Sequence, residues 1–207
     1  PEYLLKFKPD TNVQFDENEG WVNLFRPTKY LKAEGLPSGQ KATKYGTLRE
    51  AVLNHCSAIY ANVLHVLGDD FKEAEHFLNW LAYVVQTRGK SGTAWILSGR
   101  SGTGKGLLFQ KILQPIFGQY AKVAQSRTID DTFNIFLLDC LILFVDEFRM
   151  ESGAQGAKTN DILKNTITDE TLVYREMRQA PFSDYNFTNF IFASNDIDVM
   201  RIADDDR

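Results

Sequence analysis

The stretch Ala94-Trp-Ile-Leu-Ser-Gly-Arg-Ser-Gly-Thr-Gly-Lys-Gly-Leu-Leu108 constrains this chain more than any other. Ala94 to Leu97 is a short apolar run of the kind that makes a buried strand. Gly99 to Lys105 is a glycine-rich turn ending in lysine. From Gly106 to Phe117, Leu107, Leu108, Ile112, Leu113 and Ile116 recur at helical spacing. Strand, glycine loop and helix in that order form a phosphate-binding loop. Gly99, Gly102 and Gly104 let the backbone curl until several N–H groups point into one hollow. The helix that follows aims the positive end of its dipole at the same hollow. Lys105 adds a full charge on a flexible stem. The nucleotide-binding run is thus Gly99, Arg100, Ser101, Gly102, Thr103, Gly104, Lys105, Gly106 and Leu107. One position departs from the usual pattern. A Ser or Thr normally follows the lysine and binds Mg²⁺ through its hydroxyl, and here the residue is Gly106. Either the metal keeps a water there, or Thr103 or Ser101 compensates, or metal binding is weak.

The rest of the chain bounds the setting. With 207 residues, 43% hydrophobic and 24% charged, it fits a soluble globular protein of one main domain and a smaller appendage. No apolar run is long enough to span a bilayer and no signal peptide is visible, so a cytoplasmic protein without a membrane partner is expected. Cys56 and Cys140 lie far apart in apolar surroundings and read as two buried thiols of a reducing compartment. His55, His65 and His76 make no metal-ligand pattern. A net charge of −4 argues against a general polyanion-coating protein. It leaves room for nucleic acid handled by a few basic residues at one place. The chain opens at Pro1 and stops inside Asp204-Asp-Asp-Arg207, which reads as a piece of something longer.

Three divisions are expected: a lead-in over 1–46, a helical subdomain over 47–89, and a core over 90–207. The lead-in carries Pro1, Pro9, Pro27 and Pro37, with short aromatic runs around Trp21-Val-Asn-Leu-Phe25 that predict a few short strands. Pro37 to Ala42 reads as a loop. Thr47 to Leu67 is helical, with Thr47 and Glu50 placed as a capping box. Asp70 to Gln86 is a second helix, with Phe71, Ala74, Phe77, Leu78, Leu81 and Val85 on one face and Trp80 and Tyr83 assigned to packing. Tyr120 to Gln125 predicts a strand, and Ile129 to Leu138 a helix capped by Asp130 or Thr128. Leu141 to Val145 is apolar without alternation, the mark of a strand buried on both faces of a parallel sheet. Ser152 to Lys158 reads as a loop and Asn160 to Thr168 as a short helix. Thr171 to Arg175 and Phe187 to Ala193 are further strands. The alternation points to an α/β sandwich.

Chemistry gathers at strand ends. Asp146-Glu147 ends the apolar run, and two carboxylates there are costly unless a cation or water uses them. Asp146 is placed to hold Mg²⁺ through water, and Glu147 to polarise a water attacking an outer phosphate. Asn195 ends the strand Phe190-Ile-Phe-Ala-Ser and reaches either the outer phosphate or its water, although a strand-end Asn also serves as an ordinary turn residue. Tyr174 to Ser183 is a loop or hairpin that offers Arg175 and Arg178 to a partner, or else is simply solvated.

This combination resembles the superfamily 3 helicases, closest to the primase-helicases of phages, plasmids and mobile elements. The resemblance spans roughly residues 47–207 and rests on the phosphate loop, Asp146-Glu147, Leu163-Lys164 with Ile167-Thr168, the basic hairpin and Asn195. It implies an α/β, AAA+-like P-loop NTPase core built on a parallel sheet, with the Asn195 strand lying between those ending at Ser98 and Asp146. It implies an ATP- and Mg²⁺-dependent DNA helicase for replication of a phage or mobile element. Lys105, Glu147, Asn195 and Arg207 would be catalytic, with Asp146 at the metal. Lys164, Arg175 and Arg178 would contact a single DNA strand in the channel of a hexamer working at a replication fork. Arg207 would act in the neighbouring subunit's site. The final strand and any lid would lie beyond Arg207, leaving the C-terminal part missing. Two rivals share these residues. One is a small P-loop kinase, disfavoured because Asp146-Glu147 with a strand-end Asn suits water as acceptor. The other is a nucleotide-dependent DNA-binding or origin-melting module that does not unwind.

Overall fold

The computed structural model describes residues 3–32, 47–129, 134–149 and 154–196. The loop expected at Pro37 to Ala42, and Arg207, lie outside the described residues. The centre is a four-stranded parallel sheet made of β4 (Ala94–Ser98), β5 (Ala121–Gln125), β6 (Ile142–Asp146) and β9 (Asn189–Ser194), in the spatial order β4-β9-β6-β5. The Asn195 strand therefore does lie between the strands ending at Ser98 and Asp146. β9 is buried at every residue and β6 from Ile142 to Val145. Their side chains divide by the period of two. Phe144, Ile191 and Ala193 join one cluster with Phe77, Leu97, Leu108 and Leu113. Leu143, Val145, Phe190 and Phe192 join a second with Phe148, Leu163 and Tyr174. Both faces are covered, which is why these strands read as unbroken apolar runs.

The strand over Ala94 to Leu97, expected to be buried, is only partly covered, and so is β5. Ile96 of β4 is 39% exposed and Val123 of β5 is 57% exposed, because each strand lies at an edge of this sheet. The first cluster is roofed by α1 (Leu48–Val66) and α2 (Phe71–Thr87). Both start where side chains cap them: Thr47 accepts from the Glu50 N–H, and Asp70 from those of Lys72 and Glu73. α2 buries Ala74, Phe77, Trp80, Leu81 and Val84, while Tyr83 stays exposed. Trp95 of β4 meets Phe77 edge-on with centroids 5.1 Å apart.

After the glycine loop comes one continuous helical run: α3 (Lys105–Leu107), a π-helical segment (Leu108–Leu113) and α4 (Gln114–Phe117). Pro115 explains the wide middle, since it has no N–H to give to the turn behind it and its ring crowds that turn's carbonyl. Of the helix expected over Ile129 to Leu138, residues 130–133, with the Asp130 cap, lie outside the described residues, and the described part is not α-helical beyond Ile129. α5 (Ser126–Ile129) is a single turn, and Ile135–Leu137 is a 3-10 turn. Asn134 is diverted: its side chain donates to Val173 O and accepts from the Arg175 N–H, a local competition that ends helices. Lys122 Nζ also pins this segment, donating to Phe136 O at 2.8 Å and pairing with Asp139. α6 (Ala154–Thr168) begins before Asn160, so the described part of the expected Ser152–Lys158 loop is helical. β7 (Thr171–Tyr174) and β8 (Phe182–Tyr185) pair antiparallel, settling the Tyr174 to Ser183 stretch as a hairpin.

The lead-in forms a small sheet, β1 (Leu4–Lys6), β3 (Trp21–Asn23) and β2 (Phe15–Asp16) in that order. Phe7 and Phe25 from it pack on Tyr120, whose hydroxyl accepts from the Arg26 N–H at 2.6 Å. Cys140 is buried, and burial pushes its thiol up to about 12. Cys56 is only half-buried, at a kink where α1 leaves helical geometry.

Candidate functional site

The carboxyl ends of the four strands form one rim. Ser98 pairs with Ser194, and Gln125 with Asp146. The glycine loop leaves β4 here and is tied to β9 by a bond from the Gly99 N–H to Ser194 O, 3.1 Å. Gly102 and Gly104 have φ of 85° and 91°, the left-handed region that a side chain resists. Gly104 also sits against α1: a Cβ there would lie 3.0 Å from Asn62 Nδ2 and 3.5 Å from Val66 Cγ2. α1 therefore walls the loop. Asn62 Oδ1 in that wall is buried with no hydrogen-bond partner.

Lys105 is buried. Its Nζ donates to Gly99 O at 2.6 Å and Arg100 O at 3.1 Å, with Thr103 Oγ1 at 3.4 Å. The ammonium thus closes the loop from within, satisfied by the loop's own carbonyls. Burial lowers its pKa, and the charge of Asp146 partly offsets that. Thr103 Oγ1 donates to Arg100 O at 3.0 Å, which commits its hydroxyl to the loop.

Asp146 and Glu147 are exposed at the end of β6. Asp146 Oδ1 accepts the Glu147 N–H at 3.0 Å, and Glu147 has φ of 50°, an uncommon conformation for a residue with a Cβ. The chain then turns back: the Phe148 N–H donates to Ala193 O at 2.8 Å. Asn195 is exposed directly beyond β9. The rim thus brings together the Gly99–Lys105 loop, Asp146, Glu147 and Asn195.

The basic residues stand elsewhere. Arg175 and Arg178 are exposed in the turn joining β7 to β8, and Arg178 has φ of 65°. That hairpin roots through Tyr174 in the second cluster, on the sheet face opposite α1 and α2. Lys164 is exposed on α6 beside the buried Leu163. Among the described residues no group of three or more His, Cys, Asp or Glu is placed to hold a metal. No helix among them is long and apolar enough to cross a membrane. Two residues at the rim escape the sequence reading. Asn62 carries no local signal, since it is brought in by packing. Arg149 stands three residues after Asp146, and its Nε pairs with Asp196 Oδ2 at 3.2 Å.

Residues 97–207 match the family described as "Family of unknown function (DUF5906)". The whole chain is 31% identical, over 210 aligned residues, to the DNA primase-polymerase of Nitratiruptor phage NrS-1, of which it covers 27%. Two solved structures of the NrS-1 C terminal region, the apo structure and an A form apo structure, match over 99% of this chain at 28% identity. Their TM-scores are 0.79 and 0.73, and the match covers 46% and 45% of those chains. The chain thus spans about a quarter of the curated relative and under half of the solved region.

These findings correct the expected activity. The replication protein to which the chain is similar is a DNA primase-polymerase, not an ATP-hydrolysing helicase, so the helicase, ATP hydrolase and AAA+ translocase expectations fall. The physical reason is that a strand, a glycine loop and an acidic pair do not by themselves specify a reaction. The ring and hexamer rested on the same resemblance and have no support in these matches. What stands is an α/β fold with a four-stranded parallel sheet, similar to part of a phage replication protein.

Proposed function

We propose that this chain, which belongs to the DUF5906 family, is the nucleotide- and DNA-holding module of a primase-polymerase-type replication protein. The observation that carries the reading is the convergence of the glycine loop, Lys105, Asp146 and Asn195 on one rim. An α/β sheet binds ligands at the carboxyl ends of its strands, and only polyphosphate uses this donor set well. Loop N–H groups and the Lys105 ammonium hold the phosphates of a nucleoside triphosphate such as ATP. Asn195 donates to the outermost phosphate. A Mg²⁺ ion fits Asp146 through water, with Glu147 orienting that water shell. Gly106 offers no hydroxyl and that of Thr103 faces Arg100 O, so this Mg²⁺ keeps more of its water. The bound metal would neutralise phosphate charge; every other contact is made by the chain itself. Arg175 and Arg178, with Lys164, bind the phosphates of single-stranded DNA. The module thereby keeps nucleotide and template together for primer and DNA synthesis.

The test is the anisotropy of a fluorescent ATP analogue with and without Mg²⁺. Wild type should bind more tightly with Mg²⁺. Lys105→Ala should weaken binding at least tenfold, since charge-assisted phosphate contacts are worth about 1.5–3 kcal/mol each. Equal binding by the two proteins would overturn the reading.

A further inference from the structure

We infer that Arg149 reads the terminal phosphate of the bound nucleotide, exchanging Asp196 for it, and so sets a preference for triphosphate over diphosphate. The inference rests on the loop binding a nucleotide as proposed above. Its geometry comes from β9. Gly99 on one side of that strand bonds Ser194 O, and Phe148 on the other bonds Ala193 O. The loop and the segment carrying Arg149 therefore hang on consecutive carbonyls of one strand. Two strand spacings separate them, about 9–10 Å. That gap is within reach of a triphosphate leaving the loop together with an arginine side chain.

The backbone at Arg149 is also fixed from the far side. Its N–H donates to Ser126 Oγ at 3.4 Å, and Ser126 Oγ donates to Arg149 O at 3.1 Å. The side chain then reaches back across the rim to Asp196, two residues beyond the end of β9. The guanidinium is thereby held by a residue just past the carboxyl end of β9, the strand between those ending at Ser98 and Asp146, on the side where an outer phosphate would project. Its hold there is weak. The side chains of Arg149 and Asp196 are 71% and 53% exposed, and an exposed ion pair gains little. A phosphate carries more charge than a carboxylate and accepts two parallel guanidinium bonds. Asp196 thus parks the arginine and the terminal phosphate takes it.

The experiment measures Kd for Mg-ATP and Mg-ADP and takes their ratio. Arg149→Ala should weaken ATP about tenfold and leave ADP within twofold. Arg149→Lys should fall between, because it keeps the charge and loses the two-bond fork. Asp196→Asn should raise the preference for ATP, and that gain should vanish in Arg149→Ala/Asp196→Asn. Thermal melting of each variant checks the fold, and the exposed Arg149→Lys keeps the comparison available should the alanine variant misfold. Equal losses for ATP and ADP, or an unchanged ratio, would overturn the role of Arg149 while leaving the nucleotide site standing. Wild type that binds neither nucleotide would overturn the site and this inference together.

Discussion

At Gly104 the glycine loop and α1 share one narrow space, and two separate costs meet there. The backbone has φ of 91°, and an added Cβ would press on Asn62 Nδ2 at 3.0 Å. Gly104→Ala should therefore lower stability by about 1–2 kcal/mol through the backbone alone, with a further cost from the amide contact. Adding Asn62→Ala should return only the contact part, as read by denaturant unfolding of the single and double variants. An unaffected Gly104→Ala would mean that the loop readily leaves this conformation. Lys90 poses a charge problem instead. Burial depresses its pKa to about 8, partly countered by Asp169. The unfolded chain thus keeps the proton between pH 8 and 10.5 while the folded chain has lost it, so stability rises with pH across that window. Below pH 8 the charged amine costs stability in full. Its partner Thr166 O also accepts from Asn186 Nδ2 at 2.8 Å, so removing the amine leaves that carbonyl satisfied. Lys90→Met should be more stable than wild type at pH 7 by about 1 kcal/mol after allowing for solvent screening. The gap should close near pH 10; a constant difference would place the effect in packing rather than charge.

Elements differ in how much of themselves the sequence reveals. β6 and β9 were legible because a strand covered on both faces must be apolar throughout. α1 and α2 were legible because their apolar residues recur at helical spacing, with Thr47 also placed to cap the first. The region after β5 was not, since Asn134 is spent on bonding the hairpin some forty residues later, a partner that no local pattern predicts. That bond bears on the proposed DNA contact. Asn134 holds Val173 O and the Arg175 N–H together and so sets the angle at which the hairpin presents its arginines. Arg175→Ala with Arg178→Ala should reduce the slope of log K against log salt for single-stranded DNA by about 1.4, roughly 0.7 for each lost phosphate contact. Asn134→Ala should weaken DNA binding with both charges still present and so leave the slope nearly intact. A slope unchanged in the double arginine variant would put the hairpin away from DNA.

On the scale of the whole molecule, the aromatic lead-in was legible as short strands, and its attachment was not. The sequence shows Phe7 and Phe25 and does not show that both meet Tyr120 at the foot of β5. The seam is specific. The Tyr120 hydroxyl accepts from Arg26 N at 2.6 Å and donates to Arg26 O at 3.2 Å, and Thr28 Oγ1 donates to Ile116 O at 2.5 Å. Gly118, with φ of 62°, lets Thr28 close in to where a Cβ would stand 2.9 Å from its Cγ2. One apolar cluster then runs from Phe7 and Phe25 through Tyr120 and Phe117 to Leu141, on the sheet face that α1 and α2 cover. Lead-in and core should accordingly unfold together. Tyr120→Phe removes both hydroxyl bonds and leaves the Arg26 N–H without its partner, at a cost of about 1–3 kcal/mol. For a chain of this size that is roughly 2–4 °C in Tm for each kcal/mol. The tryptophans offer a direct readout, since Trp21 reports the lead-in while Trp80 and Trp95 report the roof of the sheet. With Trp21 alone retained, or Trp80 and Trp95 alone, the fluorescence transitions should coincide with each other and with far-ultraviolet circular dichroism, and Tyr120→Phe should shift all three equally. A Trp21 transition that moves ahead of the others would show the lead-in to be a separately melting appendage held only by this seam.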